Sequence, residues 1–180
     1  MSVHLRAWRP SDAEALAEIF DAADPELLSN IPDDRSATGA GEWLDRVSAS
    51  ESDGTAYACA IVGDDDSLLG NVMASGIERR HSTAWISYWL RSAARGRGLA
   101  SAALRTLVDT LHDDLEIHRL ELGYRVNNPA SGMVAKSAGF LVEGREREKL
   151  LYDGVRFDTE VAARLATDPR GSGHRLPLRR

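Results

Sequence analysis

Residues 90–103 read LRSAARGRGLASAA, and the rest of the fold is organised around this stretch. It leaves an apolar run, Ala84-Trp85-Ile86-Ser87-Tyr88-Trp89-Leu90, and crosses a short loop holding Arg91, Arg95 and Arg97. It then turns at Gly96 and Gly98 into a helix. A glycine-rich loop that opens a helix is a ready anion site, because unpaired backbone N–H groups and the positive end of the helix dipole converge there. The arginines add guanidinium groups that can fork onto phosphate oxygens. No Asp or Glu occurs from residue 79 to residue 108, although the chain carries a formal charge of −6. The stretch reads as a pyrophosphate cradle.

With 180 residues, 43% of them hydrophobic, the chain can bury one sizeable core and is expected to form one domain. The acidic balance argues against wholesale binding to nucleic acid or an anionic membrane. The single cysteine, Cys59, sits in Tyr57-Ala58-Cys59-Ala60-Ile61-Val62 and reads as a buried strand thiol, not a nucleophile. No apolar run approaches the roughly 18 residues needed to cross a membrane, and MSVHLRAWRP lacks the apolar segment of a signal peptide. The expected setting is the cytoplasm.

Outward from the cradle, periodicity marks the elements. Residues 3–8 read as a first strand. Ser11 and Glu14 form a capping box ahead of a helix carrying Leu16, Ile19 and Phe20. Residues 24–41, broken by prolines and glycines, read as a lid, and Ala40, Trp43, Leu44 and Val47 mark a second helix. Strands follow at 55–62, 68–77 and 83–90, with the acidic Asp64-Asp65-Asp66 as a solvated hairpin tip. Beyond the cradle, Leu104, Leu107, Val108 and Leu111 share one helical face. Leu120, Leu122, Tyr124 and Val126 alternate as a half-buried strand. Asn128 and Pro129 start another helix, which ends at Gly139. Strands at 141–151 and 155–163 close a domain over residues 1–166. Residues 167–180, with Pro, Gly and four arginines, read as a disordered tail.

Three readings of the glycine segment compete with a coenzyme cradle. A dinucleotide fingerprint would need glycine or alanine where Ser101 stands, directly after the strand, and there is no Walker lysine. An RNA-contacting patch would need neighbouring aromatics or net basic charge. A purely structural turn is the third.

Arg95-Gly96-Arg97-Gly98-Leu99-Ala100 resembles the [Q/R]-x-x-G-x-[G/A] motif of the GNAT superfamily of N-acetyltransferases. Asn128-Pro129-Ala130-Ser131, followed by Gly139-Phe140, resembles the N-x-x-S…G-F segment of its RimJ/RimL-like branch, and residues 5–12 are similar to that branch's first strand and helix start. The resemblance spans about residues 3–163. It implies a single-domain α/β (α+β) GNAT-like fold, with a mixed, mostly antiparallel sheet of about seven strands flanked by about four helices. It also implies acetyl-CoA as co-substrate and no metal.

Cofactor contacts are expected from Trp89, Leu90, Arg91, Arg95, Gly96, Arg97, Gly98, Leu99, Ala100, Asn128 and Ser131. Pantetheine would pair with backbone near residues 89–91, and a backbone N–H near Leu90 would stabilise the oxyanion. Many relatives use a tyrosine to protonate the thiolate, but no tyrosine lies between Tyr124 and Tyr152. The resemblance makes Ser131 the candidate donor, although a serine there could equally serve only its helix.

A carboxylate on the penultimate strand is the expected base, which selects Glu148 over Glu146 in a run whose alternating charges also suit a solvated face. His81, His112 and His118 have no evident partners and are too dispersed for zinc. Asp33, Asp34 and Arg35 in the lid are candidates to read the acceptor, a peptide N-terminus or small amine. A homodimer is open. The alternatives are another acyl-CoA donor, or a coenzyme A-binding sensor without catalysis.

Overall fold

The computed structural model describes residues 2–28 and 31–179. One eight-stranded sheet runs in the order β6-β7-β5-β4-β3-β2-β1-β8. Its strands are β1 (Val3–Arg6), β2 (Tyr57–Gly63), β3 (Leu68–Glu78), β4 (Thr83–Leu90), β5 (Arg119–Arg125), β6 (Leu141–Tyr152), β7 (Val155–Leu165) and β8 (Leu178–Arg179). The helices are α1 (Ala13–Asp21), the single turn α2 (Pro25–Leu28), α3 (Ala37–Ser52), α4 (Leu99–Asp113) and α5 (Pro129–Ser137). Pairing is antiparallel except for β4 with β5 and β1 with β8. This is the mixed α/β sheet that the hydrophobic periodicity predicts, with one strand more.

Each face of the sheet buries its own core. Leu104, Leu107 and Leu111 of α4 pack with Ile86, Leu120 and Leu122. Leu16 and Phe20 of α1 and Leu44 of α3 pack on the other face with Val62 and Trp89. Sides alternate along a strand, so Leu90 and Trp89 enter opposite cores.

The start of α1 differs from the expected capping box. A 3-10 turn at Pro10–Asp12 precedes it, and the Asp12 carboxylate, not Glu14, accepts the Arg9 backbone N–H at 2.8 Å. Asp12 also takes two 2.8 Å bonds from the buried Arg6 guanidinium, whereas Ser11 and Glu14 stay exposed. Burial of Arg6 demands a carboxylate at that point, and local capping chemistry gives way to it. Helix α3 runs on to Ser52, close to the strand expected at 55–62. Within the expected lid, Pro25–Leu28 is helical, and Ser29 and Asn30 lie outside the described residues.

The tail after Thr167 is not disordered, and Arg180 alone of it lies outside the described residues. It straps across the outer side of α4 to the far edge of the sheet. Arg170 and Arg175 pair with Asp113 and Asp109 of α4, and Thr106 Oγ1 donates to the Leu176 carbonyl at 2.8 Å. Leu176 is buried against the α4 core. Leu5 N–H donates to the Pro177 carbonyl at 2.8 Å, and β8 joins β1 in parallel. Composition suggested disorder because the tail's arginines find their acids only in the folded chain.

Candidate active site

Strands β4 and β5 pair only at their first residues, Thr83↔Arg119, Ala84↔Leu120 and Trp85↔Glu121. Beyond Trp85 they splay, because β5 continues with β7 through Arg125↔Thr159 while β4 continues with β3 as far as Gly70↔Leu90. The wedge they leave opens a cavity of about 420 Å³, within the size range of small-molecule sites.

The splay exposes one backbone edge of β4. Arg91 N–H donates to the Leu69 carbonyl at 2.9 Å. Antiparallel pairing alternates, so Trp89 shares that β3-facing edge, whereas Tyr88 and Leu90 turn their N–H groups toward the wedge. Of residues 89–91, where the sequence reading expects pantetheine, only Leu90 turns its N–H to the wedge, and Tyr88 outside that range joins it. The Leu90 carbonyl accepts Arg95 Nε at 3.1 Å.

Below the wedge, α4 begins with no side-chain cap at Gly98. Its first helical bond runs from Ala102 N–H to the Gly98 carbonyl at 3.0 Å, so the N–H groups of Leu99, Ala100 and Ser101 have no acceptor within the helix. Gly96 and Gly98 take φ of 73° and 72°, and a Cβ on either would meet nothing within 4 Å. Here glycine serves backbone conformation, not close packing. The result is a bare, positively polarised helix end facing the cavity. Its residues fit a diphosphate by geometry and by sign.

Of the sequence-predicted cofactor residues, the cavity is lined by Trp89, Leu90, Arg95, Gly96, Gly98, Leu99, Ala100, Asn128 and Ser131. Arg91 and Arg97 lie outside that lining; both are exposed and border separate pockets. Arg95 is committed within the protein. Besides the Leu90 carbonyl, its guanidinium makes a bidentate pair with Asp24 at 2.7 and 3.0 Å. This ties the segment before α2 to the cradle and sets Leu27 of α2 into the cavity wall.

Asn128 caps α5, its side-chain oxygen accepting Ser131 N–H at 3.1 Å. The Ser131 hydroxyl lies 2.9 Å from the phenol oxygen of Tyr88, which also donates to the Ser131 carbonyl at 3.0 Å. Burial pushes the Tyr88 phenol up, and the Ser131 contact offsets part of that rise. Beside them Tyr124 donates to Glu160 at 2.8 Å. Burial and the Glu160 carboxylate push its pKa up to about 12.

Tyr88 and Tyr124 are functional candidates that the sequence reading passed over, having sought a tyrosine only after residue 124. The period-2 pattern places Tyr124 with Leu120 and Leu122, but only the fold sets Tyr88 on that same face, and only the splay brings both to α5.

Glu148 is not at the site. It sits exposed in an irregularity of β6, between Glu146 and Leu150, with φ 53°, and its N–H donates to Asp158 at 2.8 Å. The break in register takes Glu148 out of the regular alternation along β6. Glu146 pairs with Lys149 at 2.5 Å. Asp33, Asp34 and Arg35 do not line the cavity either, and Asp34 accepts the Ser36 N–H at 2.9 Å. None of the described lining residues is Asp or Glu; its charged side chains are Arg95 and Arg125. No group of three or more His, Cys, Asp or Glu able to hold a metal occurs among the described residues. Cys59 is buried in β2, its thiol pushed up to about 12 by burial.

Residues 2–141 match the acetyltransferase (GNAT) domain family. YjcK of Bacillus subtilis (strain 168), a probable N-acetyltransferase, is 35% identical over 128 residues, covering 71% of this chain and 69% of that protein. The ribosomal-protein-serine acetyltransferase of Escherichia coli (strain K12) is 33% identical over 101 residues, 56% of each chain. The structure of RimL, a ribosomal L7/L12 α-N-protein acetyltransferase in complex with coenzyme A, shares the fold. Its TM-score is 0.83 at 24% identity, over 92% of this chain and 94% of that one.

Proposed function

This chain belongs to the GNAT family of acetyltransferases, and on that premise we propose that it moves an acetyl group from acetyl-CoA to the α-amine of a peptide or small molecule by direct attack. Bound acetyl-CoA supplies a thioester carbonyl that a neutral amine attacks, with release of the thiol. The observation that carries this reading is the convergence on one cavity of the bare α4 N-terminus, the free edge of β4 and the Tyr88–Ser131 hydroxyl pair.

The N–H groups of Leu99, Ala100 and Ser101 hold the pyrophosphate. Those of Tyr88 and Leu90 align the pantetheine and polarise the carbonyl oxygen. Ser131, held by Tyr88 and by the Asn128 cap, turns its hydroxyl from the Tyr88 oxygen to donate a proton or hydrogen bond to the departing sulfur. Arg95 positions this machinery, holding the Leu90 carbonyl and Asp24 together.

A cavity whose described lining holds two arginines and no carboxylate is poor at deprotonating an ammonium. That favours the α-amine of a peptide N-terminus, with pKa near 8, over alkyl amines with pKa near 10.4. Free-thiol release from acetyl-CoA tests the reading: turnover is expected with N-terminal peptides or α-amino compounds and not with polyamines. Absence of turnover on every α-amine, or a preference for polyamines, would overturn it.

A further inference from the structure

Arg125, the last residue of β5, stands in the cavity wall without an anion. Its guanidinium carbon lies 4.7 Å from the ring centroid of Tyr152 and 5.6 Å from that of Phe157. Both rings come from the tip of the β6–β7 hairpin. Among the described residues no carboxylate lies within ion-pair range of Arg125, and none of their acceptors takes a hydrogen bond from its side chain. Neighbouring arginines are engaged: Arg145 with Asp158, Arg119 with Glu121 and Glu143, Arg95 with Asp24. A half-buried guanidinium loses part of its hydration. Aromatic faces recover some of that cost while leaving the in-plane N–H fork free. Such a fork matches a carboxylate.

Register places Arg125 on the side of the sheet opposite the thiol-handling groups. Arg125 pairs with Thr159, and Tyr124 with Glu160, so consecutive residues face opposite ways. Tyr124 packs on α5, where a Cβ on Gly132 would meet its ring at 3.0 Å. Arg125 therefore points away from Ser131 and α5. Thr159 beside it carries a buried hydroxyl with no partner among the described residues. On the transfer reading, this second side of the wedge is left to the amine.

We infer that Arg125 is a specificity residue that binds a carboxylate on the acceptor: the α-carboxylate of an amino acid, or an acidic side chain next to a peptide's N-terminus. The inference rests on the transfer reading above and names the acceptor class for the same cavity.

The test compares kcat/KM, expressed per concentration of neutral amine, for matched acceptors with acetyl-CoA: serine against serine amide, and a seryl-aspartyl against a seryl-asparaginyl peptide amide. Wild type is expected to prefer one carboxylate-bearing partner about ten- to a hundredfold, the worth of a charge-assisted bidentate bond. In Arg125→Gln that ratio collapses toward one. The pair that shows the preference tells the free amino acid from the acidic peptide.

No preference in wild type, or a preference that survives Arg125→Gln, overturns the inference. So does a preference for succinyl-CoA over acetyl-CoA that Arg125→Gln abolishes, since the carboxylate would then sit on the acyl group. Calorimetric titration with coenzyme A keeps the two readings apart. Absence of binding by wild type sinks the transfer reading itself. Weaker coenzyme binding by Arg125→Gln, with an unaltered acceptor ratio, sinks only the assignment of Arg125.

Discussion

The Tyr88 and Ser131 hydroxyl oxygens lie 2.9 Å apart, joining the central strand β4 to the first turn of α5 across the wedge. One group comes from a strand and the other from a helix 43 residues later. The pair holds the serine's orientation before any thiol arrives. Ser131→Ala is expected to lower kcat about a hundredfold, the usual scale of a general acid, while KM for acetyl-CoA changes little. Tyr88→Phe, which keeps the ring and removes the orienting hydroxyl, should lower kcat less. Steady-state thiol release separates the two constants, and an unchanged kcat in Ser131→Ala would reduce the serine to a helix residue.

Gly98 opens α4 at φ 72° with open space around it. Gly98→Ala is therefore free of clash and strained only in backbone, by about 1 kcal/mol. Relief of that strain would turn the following N–H groups off the phosphate position. The expected outcome is a folded protein whose coenzyme A Kd rises about tenfold, roughly 1.4 kcal/mol of binding, as read by calorimetry. Equal affinity would mean that the helix end does not hold the coenzyme.

The C-terminal strap is a structural member, not an appendage. Leu176 is 4% exposed in the α4 core. Leu176→Ala should cost about 2–4 kcal/mol, a fall in Tm of roughly 4–16 °C for a chain of this size. Ending the chain after Ala166 removes the Asp109 and Asp113 partners as well and should destabilise more. A Tm unchanged by either alteration would show that the strap contributes nothing.

His112 sets an acid limit on stability. Its Nδ1 lies 2.7 Å from the Ile117 carbonyl and must carry the proton of that bond. Its Nε2 is buried with no partner among the described residues. Burial holds the imidazole below its ordinary pKa, which is about 6.5. Between that value and the lower folded pKa, the unfolded chain binds the extra proton. Stability is therefore complete above about pH 6.5 and falls as pH drops through the folded pKa. Urea unfolding of wild type and His112→Gln across pH 5–8 checks this sign: the substituted protein should lose less stability on acidification.

Much of the fold was legible because it is written in local patterns. The alternation of Leu120, Leu122 and Tyr124 predicts β5, the spacing of Leu104, Leu107 and Leu111 predicts α4, and Asn128-Pro129 predicts the start of α5. The misreadings occur where a distant charge decides the local outcome. Asp12 takes over the first helix turn because Arg6 is buried beside it. The tail is ordered because Asp109 and Asp113 wait on α4. Glu148 leaves the site because β6 breaks register next to it.

By itself the sequence picked out the residues proposed to hold the coenzyme. Glycine conformations, an uncapped helix start and the order of strand, loop and helix are contiguous properties of residues 83–101, so they need no tertiary partner to be read. Ser131 was named from the sequence, but its partners Tyr88 and Arg125 in the cavity were decided by the tertiary structure alone. Tyr88, Ser131 and Arg125 become neighbours of one cavity only because β4 and β5 part after three paired residues. How far two strands stay together depends on the sheet and helices packed around them, which no local spacing records.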